Sequence, residues 1–197
     1  VLFRSARYAG QWRVARSASW LAGFSGSDKR VRMADIESGL RFANSARETM
    51  PDRVEGHYYR AVLAGQLGEA DNSYGASAAT QMRDGLLRAI ELDEGFDDAG
   101  PHRMIGVLYQ RAPGPPASIG SNRNALKHLK RAVELSQNHV GNHLYLAEAE
   151  LAKGQKEEAR TRLQAHVLSE AARNRSEPTQ YEAWAQEARA LLKLMDE

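Results

Sequence analysis

Three segments of the chain repeat one another at a fixed spacing, and this periodicity limits the fold more than any other feature. Ser45-Ala46-Arg47-Glu48, Arg88-Ala89-Ile90-Glu91 and Arg131-Ala132-Val133-Glu134 follow one another at intervals of 43 residues, alanine over alanine and glutamate over glutamate. In the same frame lie Ala43, Leu86 and Leu129, and before them Gly39, Met82 and Ala125. Small or apolar residues therefore recur at i, i+4 and i+7, one stripe of an amphipathic helix. The chain turns downstream of each stripe, at Pro51, Glu94 and Gln137. A unit that returns in this way must stack on its neighbours to bury its apolar face. Composition agrees, since alanine, leucine, glutamate and arginine dominate while valine, isoleucine and threonine are sparse.

The stripe has a small–x3–large–x2–Ala–x4–Pro form that resembles the second helix of a tetratricopeptide (TPR) repeat. Ala125, Leu129 and Ala132 fit it well, and Pro51 supplies the one proline. First helices are also legible. His102 through Tyr109 carries a Leu-Gly-x2-Tyr element with Ile105 in the leucine place, and Leu144 through Leu151 is followed by Gly154 and Ala159-x3-Leu163. The resemblance implies an all-α fold, a right-handed solenoid of about four TPR-like helix pairs plus a C-terminal capping helix. The patterning predicts helices near 6–22, 30–49, 53–67, 80–92, 99–111, 122–136, 140–153 and 156–172. A last helix near 180–195 begins at Pro178 and a Thr179-x-x-Glu182 capping box. Its stripe of Tyr181, Trp184, Ala188, Leu191 and Leu192 is expected to cover the last pair, so residues 1–197 read as one domain capped by 178–197.

Long connections interrupt the first three pairs at Gly23–Arg30, Gly68–Thr80 and Arg111–Ser121, and equivalent loops of a solenoid emerge on one edge. The third carries Pro113, Pro115, Pro116, Ser118 and Ser121, a stiffened loop-edge candidate. Its end at Gly120-Ser121-Asn122 offers either an ordinary helix cap or an anion site. The run Gly100-Pro101 through Gly106, the Pro-Gly-Pro loop, Ala125 through Leu129 and Asn142 through Ala147 is similar to the T-component proteins of bacterial TRAP transporters. That likeness spans roughly residues 8–172. It implies an envelope-associated, often lipid-anchored protein that oligomerises and presents a pore or cleft to a protein partner, the candidate being a periplasmic substrate-binding protein.

First helices line the concave surface in this architecture. Tyr58, Tyr59, Arg103, Gln110, Arg111, Tyr145 and Glu148 are therefore the groove candidates. Aromatic and arginine side chains anchor partners through contact area and bidentate hydrogen bonds. For the tyrosines, filling space between helices is the simpler reading. His139 and His143 have chelating i, i+4 spacing, but no third ligand lies at metal-site spacing, so no metal and no cofactor are expected. His128 and His166 read as packing histidines. Arg123, Lys127, Lys130 and Arg131 read as a solvated basic stripe, and Glu91, Asp93, Glu94, Asp97 and Asp98 as a polar turn feeding the next helix.

Function classes narrow accordingly. Net charge is +2 with no aromatic interleaving of the basic stripe, which argues against nucleic acid. There is no cysteine, hence no disulfide or thiolate chemistry. No hydrolase, phosphate-loop or zinc-protease motif is visible. The expectation is a non-catalytic protein-binding module of the bacterial envelope, able to self-associate. A general assembly scaffold, cytoplasmic or periplasmic, is one alternative, and an enzyme on a helical scaffold another. Val1-Leu2-Phe3-Arg4-Ser5 is also what GTG-CTC-TTC-CGA-TCT encodes, a common sequencing-adapter end. Residues 1–5 are accordingly expected to be read-through, with the natural start and any lipid-attachment signal upstream.

Overall fold

The computed structural model describes residues 2–24 and 28–196, and among them every regular element is helical. In chain order these are α1 (Leu2–Phe24), α2 (Lys29–Thr49), α3 (Val54–Ala70), α4 (Gly75–Asp93), α5 (Phe96–Arg111), α6 (Asn122–Leu135), α7 (Val140–Ala152), α8 (Lys156–Arg162), α9 (Glu170–Arg175) and α10 (Pro178–Asp196). They gather into two compact units. One holds the residues up to Phe96 together with Pro113–Ile119; the other holds Asp97–Ala112 and Gly120–Glu197. Of the connection at Gly23–Arg30, positions 25–27 lie outside the described residues.

In the first unit α1 packs on α2, α2 on α3 and α3 on α4. The repeated stripe makes these contacts. Ala43, Ala46, Leu86 and Ala89 are fully buried. A Cβ placed on Gly39 would meet Ala18 and Leu63 at 2.8 Å, so two helices close on α2 where it has no side chain. The connection expected over Gly68–Thr80 is mostly helix. Asp71 accepts from the backbone N–H of Ser73 at 2.9 Å and seeds a short turn, Asn72–Tyr74, from which α4 starts at once. Ala78 then packs beneath Gly68. Alanine-rich sequence with a buried position prefers helix to loop.

In the second unit the same stripe recurs as Ala125, Leu129 and Ala132, all fully buried. Gly106 of α5 admits Leu129, whose Cγ lies 2.5 Å from where a Cβ would sit. Gly106→Ala is expected to lower unfolding free energy by about 1–3 kcal/mol, the usual cost of overpacking; urea denaturation of the full chain measures it. The helix expected over 156–172 is instead broken. Leu168 N–H reaches Leu163 O at 2.9 Å, closing a π turn over Leu163–Val167. Ser169 then caps a new helix by accepting from Ala172 N–H at 3.3 Å.

α10 caps the unit as anticipated. Tyr181, Ala185, Ala188 and Met195 share a core with Val140, Leu144, Ala147, Leu163 and Val167, and Trp184, Leu191 and Leu192 pack against it. Its start differs from the expected capping box. Glu177 is the cap, accepting from Gln180 N–H at 2.9 Å, with Pro178 in the first turn. Proline suits that place because its missing N–H would be unpaired there anyway.

Candidate functional site

The groove candidates fall into two groups. Tyr58 and Tyr59 belong to the first unit and are buried, 3% and 6% exposed. Tyr58 meets Tyr59 and Phe96 edge-on at 5.1 and 5.3 Å between ring centres, and Tyr59 lies parallel to Trp12 at 6.2 Å. These tyrosines pack as an aromatic cluster, the space-filling reading rather than an open groove. Trp12 and Phe96 complete it, and the sequence reading passed over both.

Arg103 departs further from its expected role. It is 8% exposed, and its Nη1 donates to Asp98 O and Asn142 Oδ1, both at 3.0 Å. Its Nη2 donates to Asp97 O at 3.2 Å and Asp97 Oδ2 at 3.3 Å. The guanidinium is thus committed inside the protein, which corrects its placement as a groove contact. Asn142, fully buried, donates from Nδ2 to Asp98 O, Ala132 O and Ser136 O. What this network holds is unusual backbone. Asp97, Asp98 and Ala99 have φ of 53°, 53° and 61°, the left-handed region, so regular helix begins only beyond them. The two aspartates therefore shape a kink that the polar-turn reading did not include.

Arg111, Tyr145 and Glu148 do come together. Arg111 leaves the last turn of α5, and Tyr145 and Glu148 lie one turn apart on α7. Arg111 Nη2 pairs with Glu148 Oε2 at 3.1 Å, and its guanidinium carbon sits 5.5 Å from the Tyr145 ring centre, over the ring. The pair is partly open, with side-chain exposures of 50% and 26%. Gln110 brings a buried Oε1 without a hydrogen-bond partner among the described residues. Burial, and then Glu187, push the Tyr145 hydroxyl above its usual range, so the ring stays neutral. Glu187, absent from the sequence reading, acts electrostatically on this group. Burial raises its carboxyl above the ordinary range, Arg111 opposes that shift and Glu148 adds to it. Its signal was positional: Glu187 is an exposed residue of α10 within one turn of Trp184 and Leu191, which pack against the core shared with α7.

The loop-edge residues divide between the units. Pro113, Pro115 and Pro116 are exposed, and Ala117 and Ser118 N–H close a turn on Gly114 O at 3.1 and 3.3 Å. Ser121 is an ordinary cap, its hydroxyl accepting from Asn124 N–H at 3.3 Å. The histidines have internal duties. His139 Nδ1 caps α7 by accepting from Asn142 N–H at 3.3 Å, and its ring meets Trp184 edge-on. His143 donates from Nε2 to Gln137 O at 2.7 Å and lies flat on His166 at 4.1 Å. His128 faces His102, Nδ1 to Nδ1, at 2.9 Å. Among the described residues no three ligating side chains are grouped to hold a metal ion. None of the helices there is long and apolar enough to cross a membrane.

Comparison with known proteins agrees with this architecture. A thermophilic TPR protein of Thermus thermophilus superposes with a TM-score of 0.63 over 89% of this chain and 81% of its own, at 17% identity. That likeness bears on the fold, which is the TPR-like helix-pair fold. No curated protein matches. A family model described as TRAP transporter T-component matches residues 62–197, more than half of the sequence, and the chain belongs to that family.

Proposed function

We propose that this T-component is a non-catalytic, envelope-associated interaction module, and that it grips a protein partner along α5, α7 and α10. The partner best suited to the family is the transporter's periplasmic substrate-binding protein. The observation that carries the reading is the grouping of Arg111, Tyr145 and Glu148 on the first helices of consecutive pairs. A half-exposed arginine on an aromatic face, flanked by a carboxylate, is the residue mixture of a binding hot spot. The side chains gathered there suit binding, since the arginine is ion-paired and lies over a tyrosine that stays neutral.

The test is affinity between the full chain and its cognate substrate-binding protein, measured by biolayer interferometry. Tyr145→Ala is expected to weaken binding by about 30-fold or more, the scale of a hot-spot truncation. Arg123→Ala, on the exposed basic stripe of α6, is expected to change it by less than about threefold. Equal affinities for parent and Tyr145→Ala would remove this surface from the interaction.

A further inference from the structure

One edge of the first unit is apolar and basic at once. There α1 ends and α2 begins, and α3 ends and turns into α4. Two contacts between helices fix the juxtaposition: Gln66 Nε2 donates to Ser19 O at 2.8 Å, and Arg32 Nη2 pairs with Glu69 Oε2 at 3.1 Å. Trp20, Leu21, Val31 and Tyr74 follow or flank these residues in the chain, and they are 52%, 48%, 51% and 45% exposed. Exposed hydrophobic residues scattered singly are ordinary, but a group at one edge marks a contact surface. Arg16, Lys29 and Arg30 stand at the same edge without an ion pair among the described residues. The acids there are engaged. Asp28 accepts from Arg30 N–H and Asp71 from Ser73 N–H, both at 2.9 Å, and Glu69 holds Arg32. Lys29 and Arg30 also occupy the first turn of α2, which holds no acidic residue. Cations are unfavourable beside the positive end of a helix dipole, so helix formation does not account for them.

We propose that this edge rests on an anionic lipid surface. Trp20, Leu21, Val31 and Tyr74 enter the interface, and Arg16, Lys29 and Arg30 meet the headgroups. A protein's apolar patch could meet the same four side chains, but three cations without ion pairs around them suit an anionic occupant. Tryptophan and tyrosine are also the residues enriched where water meets hydrocarbon, because each has an apolar body and a polar tip. The contact is superficial, since none of the helices among the described residues is long and apolar enough to cross a membrane. It is independent of the partner surface proposed in the second unit.

Co-sedimentation of the full chain with vesicles tests it, at about 0.1 M salt. Vesicles of phosphatidylglycerol and phosphatidylcholine are expected to bind at least about tenfold tighter than vesicles of phosphatidylcholine alone. Lys29→Glu with Arg30→Glu is expected to weaken binding to the mixed vesicles by about 30-fold. Glutamate suits a first helical turn, so circular dichroism of this variant should match the parent. The same charge reversal on the exposed stripe of α6, Arg123→Glu with Lys127→Glu, is expected to cost less than about threefold, which separates the edge from net charge. Trp20→Ser with Val31→Ser is expected to lose about tenfold. Equal binding to both vesicles, or to neither, would overturn the proposal, and so would equal losses for the two charge reversals. Unchanged vesicle binding in Trp20→Ser, Val31→Ser, with capture of the substrate-binding protein lost, would make this edge a protein contact instead.

Discussion

Arg103→Ala is expected to lower the unfolding free energy by about 3–5 kcal/mol, the range for removing one member of a buried, hydrogen-bonded charge network. The guanidinium donates to two backbone carbonyls, Asp97 O and Asp98 O, and to Asn142 Oδ1. Alanine would leave these acceptors short of donors in a place water reaches poorly, since Asn142 is fully buried. It would also release the three left-handed residues, each of which costs roughly 1–2 kcal/mol to hold. Arg103→Lys should recover only part of the loss, because one ammonium cannot span carbonyls that the fork reaches together. Asn142→Ala acts on the same network, so the double variant should lose less than the sum of the two singles. Urea denaturation of the parent and these four variants decides it. A loss below about 1 kcal/mol for Arg103→Ala would mean the kink stands without its clamp.

Acid is expected to destabilise this fold across the range in which free histidine titrates. Burial lowers His128 to about 4, with His102 and Lys127 adding to the effect. It lowers His139 to about 3, aided by Arg103 and opposed by Asp97. It lowers His143 to about 4, with His166, Arg162 and Arg175 adding. Geometry gives the same direction for two of them. His143 donates through Nε2 to a carbonyl and accepts an Arg162 N–H at Nδ1, 3.3 Å away, so there is no room for a second proton. His139 Nδ1 is likewise occupied as an acceptor. Above about pH 6.5 these rings are neutral in folded and unfolded chains alike and add no pH dependence. As pH falls from there toward about 4, the unfolded chain binds protons that the folded one refuses. Stability therefore falls with pH, by about 1.4 kcal/mol per unit for each such histidine. Denaturation midpoints between pH 7 and 5 give the slope. His143→Gln, which keeps a donor toward Gln137 O, should reduce it by about one proton's share; an unchanged slope would exonerate His143.

How much could be read in advance varies from residue to residue. The positions Ala46, Ala89 and Ala132 were legible as packing points because a small residue at helical spacing has one physical use, close approach of a neighbouring helix. The capping role of α10 was legible for the same reason, since Tyr181, Ala188 and Leu191 repeat on one face. Arg103 and Arg111 looked alike in sequence, two turns apart on one helix, yet one is 8% exposed and clamps a kink while the other lies half open on Tyr145. Their difference comes from Asn142 and Glu148, which arrive from a helix distant in the chain.

Local periodicity thus marked most of the helices and their pairing stripe, because those depend on side-chain spacing along one segment, although the helix expected over 156–172 is broken and the connection expected over Gly68–Thr80 is mostly helical. Tertiary structure decided which polar side chains are consumed inside the protein and which stay open at the surface. It also decided the break after Arg162, the left-handed kink at Asp97–Ala99, and the pairing of Arg111 with Glu148 over Tyr145. Each of these depends on hydrogen-bond donors, acceptors and charges brought together from separate helices, and spacing within one helix carries no information about them.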